Sequence, residues 1–132
     1  MNKTRLFLLS GLSLFALSTA ANATLQEAED AINDKDYVFA LQELNRLIKV
    51  GDHTAEAYYN LARLYENGLG VAKDEMQALT FYRRAAESGD EKSALKVGNA
   101  YFLGRGVDRN YAEAYRWFKQ SAEKGNYAAQ YN

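Results

Sequence analysis

Leu61-Ala62-Arg63-Leu64-Tyr65-Glu66-Asn67-Gly68-Leu69-Gly70-Val71 and Val97-Gly98-Asn99-Ala100-Tyr101-Phe102-Leu103-Gly104-Arg105-Gly106-Val107 follow one pattern. Tyr65 and Tyr101 stand 36 residues apart, and the same offset relates Gly68 to Gly104, Gly70 to Gly106 and Val71 to Val107. The register continues without a gap through Asp74 and Asn110, Ala78 and Ala114, Phe81 and Trp117, Tyr82 and Phe118, and Ala86 and Ala122. It ends at Gly89 and Gly125. Self-similarity at a fixed period of this length marks stacked supersecondary units, each too small to bury its apolar face alone.

Each unit reads as two antiparallel helices. Ala57, Leu61, Leu64 and Tyr65 recur at the i, i+4, i+7, i+8 spacing of one helix face. Gly68 supplies the left-handed residue on which helices commonly end, and Gly70 gives the connection a second permissive point. Asp74 with Gln77, and Asn110 with Glu113, have the spacing of an N-cap and its reciprocal partner. The second helices carry stripes of Ala78, Phe81, Tyr82, Ala85 and Ala86, and of Ala114, Trp117, Phe118, Ser121 and Ala122. Their small residues permit close helix approach, the aromatic pairs fill the space between units, and Gly89 and Gly125 close the helices. The expected fold is all-α, an α-solenoid of antiparallel helix pairs.

Two full units therefore occupy 54–89 and 90–125. Residues 24–53 read as a degenerate N-terminal helix pair. Leu25 to Ile32 form its first helix, and Asp36 caps a second that carries Ala40, Leu41, Leu44, Leu47 and Ile48 on one face and ends at Gly51. A two-residue insertion around His53 precedes the regular register. Residues 126–132 match the opening of a truncated further unit, so the chain is expected to be a fragment or the product of a truncated reading frame, with a partner covering the exposed end as the alternative.

The composite pattern A-x-x-x-L-x-x-x-Y-x-x-G-x-G-V, then Asp or Asn, Ala, an aromatic pair, Ala-Ala and Gly, resembles the Sel1-like repeat, a relative of the tetratricopeptide repeat. The resemblance covers Thr54 to Gly125. It departs from the family where Ala72 and Asp108 stand in place of a frequent Pro, and where Ala62 replaces the more typical Gly seen at Gly98. What it implies is a protein–protein interaction scaffold or adaptor, with the first helix of each unit lining a concave face.

The N-terminus carries a different signal. Lys3 and Arg5 precede an apolar run from Leu6 to Leu17, followed by small residues ending in Ala21-Asn22-Ala23. A basic start, a short apolar run and an A-x-A site define a secretory signal peptide over 1–23. The run is too short to span a bilayer, which takes about 20 residues, so no stable membrane insertion is expected after cleavage. Cleavage is expected after Ala23, with Ala21 as the alternative, and a periplasmic or secreted location follows. Removal of residues 1–23 leaves 109 residues carrying 14 Lys and Arg against 17 Asp and Glu. This acidic balance gives nucleic acid no clustered positive charge to bind.

Catalytic chemistry has little to draw on. The sequence has no Cys and one His, so thiol chemistry is excluded, and His53 lies in a polar linker where a solvated role is expected. No Ser has a His at a repeat-compatible position to act as base. The Gly-x-Gly pairs follow a helix rather than a strand, which is the wrong context for a dinucleotide loop. No catalytic residue, cofactor or metal is expected. Binding is. On the first helices, outside the core stripe, Asn60, Arg63 and Asn67 form one row at i, i+3, i+7 spacing, and Lys96, Asn99 and Leu103 form its counterpart. These six are the expected contacts for a protein or peptide partner. Tyr58, Tyr59 and Phe102 are the aromatics least required by packing, and an envelope polysaccharide or peptidoglycan ligand would use them.

Overall fold

The computed structural model describes residues 16–124, with side chains from Thr24 onward. Most of the expected signal peptide, Gly125 and the further unit at 126–132 lie outside the described residues. Six helices and no strands occur among the described residues: α1 (Ala16–Asn33), α2 (Tyr37–Val50), α3 (Thr54–Asn67), α4 (Glu75–Glu87), α5 (Glu91–Leu103) and α6 (Tyr111–Glu123). Each packs chiefly on the helix before and the helix after it. With connections this short the partners run antiparallel, and the chain is an α-solenoid.

The local chemistry repeats with the sequence. The Asp74 carboxylate accepts from the Gln77 amide at 3.0 Å, and the Asn110 side chain accepts from the Glu113 amide at 3.0 Å. Asp36 and Asp90 cap α2 and α5 in the same manner. The loop bonds also recur one period apart. Asp74 N–H donates to the Tyr65 carbonyl and Asn110 N–H to the Tyr101 carbonyl, both at 2.9 Å. Gly68 and Gly104 end α3 and α5 in the left-handed region. The last residue capping α4 is Ser88, with Gly89 just beyond it.

The second glycine of each loop has a further role. Gly70 lies against Tyr37 at the start of α2, and Gly106 lies against the backbone of Glu75 and Met76 at the start of α4. Each interhelix loop thus seats on the second helix of the preceding unit, so the loop that joins two helices also joins two units.

Two adjoining cores run along the stack. Ala28, Ala40, Leu44, Leu47, Leu61 and Leu64 form the centre of one between α1, α2 and α3. Ala62, Ala78, Leu79, Tyr82 and Val97 form the other between α3, α4 and α5. Burying each Leu contributes roughly 1.5–3 kcal/mol. The first helix corrects the expected boundary: α1 extends back from Leu25 to Ala16. Four of the added residues are Ala, the strongest helix former, and neither Gly nor Pro interrupts them. At the other register break, His53 adopts a left-handed backbone at the start of α3 and makes no side-chain cap, its Nδ1 instead lying 2.8 Å from the Asp52 carboxylate.

Candidate functional site

The helix order brings the C-terminal halves of α3 and α5 to either side of the N-terminal half of α4. Between them lies a cleft of about 390 Å³. Ala78, Leu79 and Tyr82, all buried, line its α4 side. Glu66 and Asn67 line it from α3, and Lys96, Asn99 and Leu103 from α5. Lys73 and Arg105 reach it from the two interhelix loops.

Four of the six expected contact residues, Asn67, Lys96, Asn99 and Leu103, converge on this cleft. Arg63 is exposed one turn earlier on α3, its guanidinium 5.9 Å from the centre of the Tyr59 ring. Asn60 is a correction. It is only 5% exposed, and its Oδ1 accepts from Arg63 Nη1 at 3.4 Å. α3 is packed against α2 on one side and α4 on the other, so it buries a wider arc than its apolar stripe marks, and Asn60 falls inside that arc.

The polar groups of the cleft are linked. The Tyr82 hydroxyl donates to Glu66 Oε2 at 2.7 Å, and Lys96 Nζ stands 3.8 Å from the same oxygen and 5.8 Å from the centre of the Tyr82 ring. Burial, and then the hydrogen bond to Glu66, hold the Tyr82 phenol well above its usual range, so it remains a neutral donor that fixes the carboxylate. Lys73 pairs with Glu75 at 3.8 Å. The Arg105 guanidinium makes no hydrogen bond or ion pair among the described residues. Elsewhere between α4 and α5, Arg83 donates to the Tyr101 hydroxyl at 2.5 Å and ties the two units together.

Of the aromatics expected to be available for contact, Tyr58 and Tyr59 are half-buried and Phe102 is exposed, and all three touch other rings. Tyr58 stacks on Phe81 with 6.0 Å between ring centres, Tyr59 tilts against Tyr82, and Phe102 packs on Tyr111 and Phe118. Tyr59 also carries Lys92 Nζ at 4.9 Å.

Glu66, Lys73 and Arg105 are cleft residues that the repeat pattern does not predict, and Tyr82, expected to fill the space between units, also lines the cleft. Glu66 has Phe102 as its repeat counterpart, so nothing in the register marks it. Arg105 did leave a signal: the residue between the paired glycines is Leu69 in one unit, packed against the first core, and an exposed Arg in the next. Cationic and amide donors around an apolar wall are equipment for holding a polar chain. Among the described residues no group of three or more His, Asp or Glu has a metal-holding arrangement, and no helix is long and apolar enough to cross a membrane.

A family model described as Sel1 repeat matches residues 55–90 and 92–126. DAP3-binding cell death enhancer 1 of Rattus norvegicus is 30% identical over 104 residues, which cover 79% of this chain and 20% of that protein. Among solved structures, a protective antigen present in uropathogenic Escherichia coli strains superposes with a TM-score of 0.76 at 29% identity, covering 86% of this chain and 25% of the antigen. A Sel1 repeat protein from Oxalobacter formigenes superposes with a TM-score of 0.70 at 28% identity, over 80% of this chain and 42% of that one. The chain spans about a fifth of the curated relative's length.

Proposed function

Because this chain belongs to the Sel1 repeat family, we propose that it is an interaction scaffold, exported from the cytoplasm, that holds a protein or peptide partner against the first-helix face of its solenoid. The observation that carries the reading is the convergence of Asn67, Lys96, Asn99 and Leu103 from two consecutive units on one cleft. Asn99 makes no side-chain hydrogen bond among the described residues and is free to pair with a partner's backbone. The word "binding" in the name of the rat relative describes that protein's attachment to another protein, and supports a partner of the same class here. Tyr58 and Tyr59 pack against neighbouring rings, so a sugar-stacking role would fall to the exposed Phe102, Tyr111 and Tyr115 rather than to the cleft.

A photoreactive residue at position 99 tests the site. Capture of a defined protein that is lost with Asn67→Ala plus Asn99→Ala supports it, whereas capture unaffected by that pair places the partner elsewhere. Export is tested by the N-terminus of the protein recovered from cells. A chain starting at Thr24 or at Asn22 supports cleavage after Ala23 or Ala21, and an intact Met1 overturns it.

A further inference from the structure

The first-helix face has a charge balance unlike that of the whole chain. Arg63 and Lys92 both stand over the Tyr59 ring, which lies 5.9 Å from the Tyr82 ring beside Lys96. Lys73 and Arg105 continue the same surface into the cleft. Five of the chain's 16 basic residues therefore gather here against Glu56, Glu66 and Glu75, three of its 17 acidic ones. Glu66 is committed to Tyr82 and Lys96, and Glu75 to Lys73. Glu56, one turn before Asn60 on α3, bounds the face at its far end. Arg63, Lys92 and Arg105 have no carboxylate partner among the described residues, and their guanidinium and ammonium groups are left for an incoming anion.

We propose that the partner segment bound on this face is an acidic peptide in extended conformation, its carboxylates received by Arg63, Lys92, Lys96 and Arg105. The proposal rests on the scaffold reading above and specifies its ligand. Spacing supports a peptide. Lys92 and Lys96 are four residues apart on α5, a rise of about 6 Å. Alternate side chains of an extended peptide lie on one side at about 6.7 Å, so carboxylates two residues apart meet successive cations. Between the cations, the Asn99 amide and the apolar wall of Leu79 and Leu103 supply backbone pairing and a seat for the intervening side chains.

Fluorescence anisotropy on the full chain decides it, using labelled decapeptides of alternating Glu and Ser, of Gly and Ser, and of alternating Lys and Ser. The acidic peptide is expected to bind at least about tenfold more tightly than the other two and to weaken as salt rises. Arg105→Gln, in an exposed loop, is expected to weaken it about threefold, and Lys92→Gln with Lys96→Gln by roughly tenfold. Neutral or basic peptides that bind as tightly, and compete for the same face, overturn the acidic specificity while leaving the scaffold reading standing. Displacement by polyphosphate at equal charge as effective as by the acidic peptide reassigns the face to polyanions and overturns the peptide. Failure of all three peptides to bind overturns the acidic-peptide assignment, while the scaffold reading stands or falls on capture from position 99.

Discussion

Gly98 on α5 lies against the ring of Phe118 on α6, so that a Cβ on Gly98 would come within 2.6 Å of both Cδ1 and Cε1. Glycine in a helix interior is ordinarily a weakness, and here it sets the distance between the two helices of the second unit. The first unit has Ala62 and Tyr82 in the same register, and both are buried there. The two units therefore pack the same contact with different volumes.

Gly98→Ala is accordingly expected to destabilise the protein. Overpacking costs about 1–3 kcal/mol, and the gain in helix propensity returns about 1 kcal/mol. A net loss near 1 kcal/mol lowers the melting temperature by roughly 4–8 °C. Adding Phe118→Leu should recover part of it, since the ring is the obstacle. A single variant more stable than the parent would show that the ring moves aside at no cost.

Gly51 and Gly106 separate two reasons for needing glycine. Their φ values are nearly equal, 74° and 72°, but a Cβ on Gly51 meets nothing within 4 Å while one on Gly106 runs into the Glu75 and Met76 backbone. Gly51→Ala should cost about 1 kcal/mol, the left-handed penalty. Gly106→Ala should exceed it by about 1–3 kcal/mol, the cost of displacing the loop from the unit before it. Equal losses in urea unfolding would mean that the loop contact contributes nothing to stacking.

The caps repeat in register and should act independently. Asp74→Ala and Asn110→Ala each remove one side-chain bond to a first-turn amide, at about 1 kcal/mol apiece. The two sites belong to different units and share no partner, so the double variant should lose the sum to within about 0.5 kcal/mol. A marked departure from additivity would couple the two loops through α4 and α5.

Those caps, the helix-ending Gly68 and Gly104 and the helix pairs were legible because each rests on contacts within one unit, and a unit is written twice. Gly70 and Gly106 showed by their recurrence, although their contacts cross to the preceding unit. The cleft was legible only in part. Asn67, Asn99 and Leu103 could be placed by subtracting the core stripe from a helical wheel, since they lie late on their helices where the cleft opens. The same subtraction failed for Asn60, because an interior helix of a stack has two neighbours and its sequence stripe marks only the more apolar contact. The Tyr82–Glu66–Lys96 link joins three helices across two units. Glu66 has an aromatic counterpart one period later and Lys96 has Asn60 one period earlier, so the repeat carried no trace of the link.

That link makes the last prediction, Tyr82→Phe. At neutral pH the variant removes the donor to Glu66 while leaving the buried ring, and should lose about 1–2 kcal/mol in urea unfolding. The pH dependence follows from burial and the Glu66 bond, which hold the phenol above its usual value of about 10. Below that pH the phenol is neutral both folded and unfolded, so its contribution is full and flat. Above it the unfolded chain releases the proton and the folded chain keeps it, so the unfolded state binds fewer protons and stability falls as pH rises. The parent begins to lose this contribution as pH rises through about 10 and keeps losing it up to the raised folded-state value, whereas the Phe variant has none to lose. The stability gap between them should therefore narrow across that window. A gap that stays constant would mean that Tyr82 ionises as readily in the fold as out of it, and that its hydroxyl does not hold the Glu66 side of the cleft.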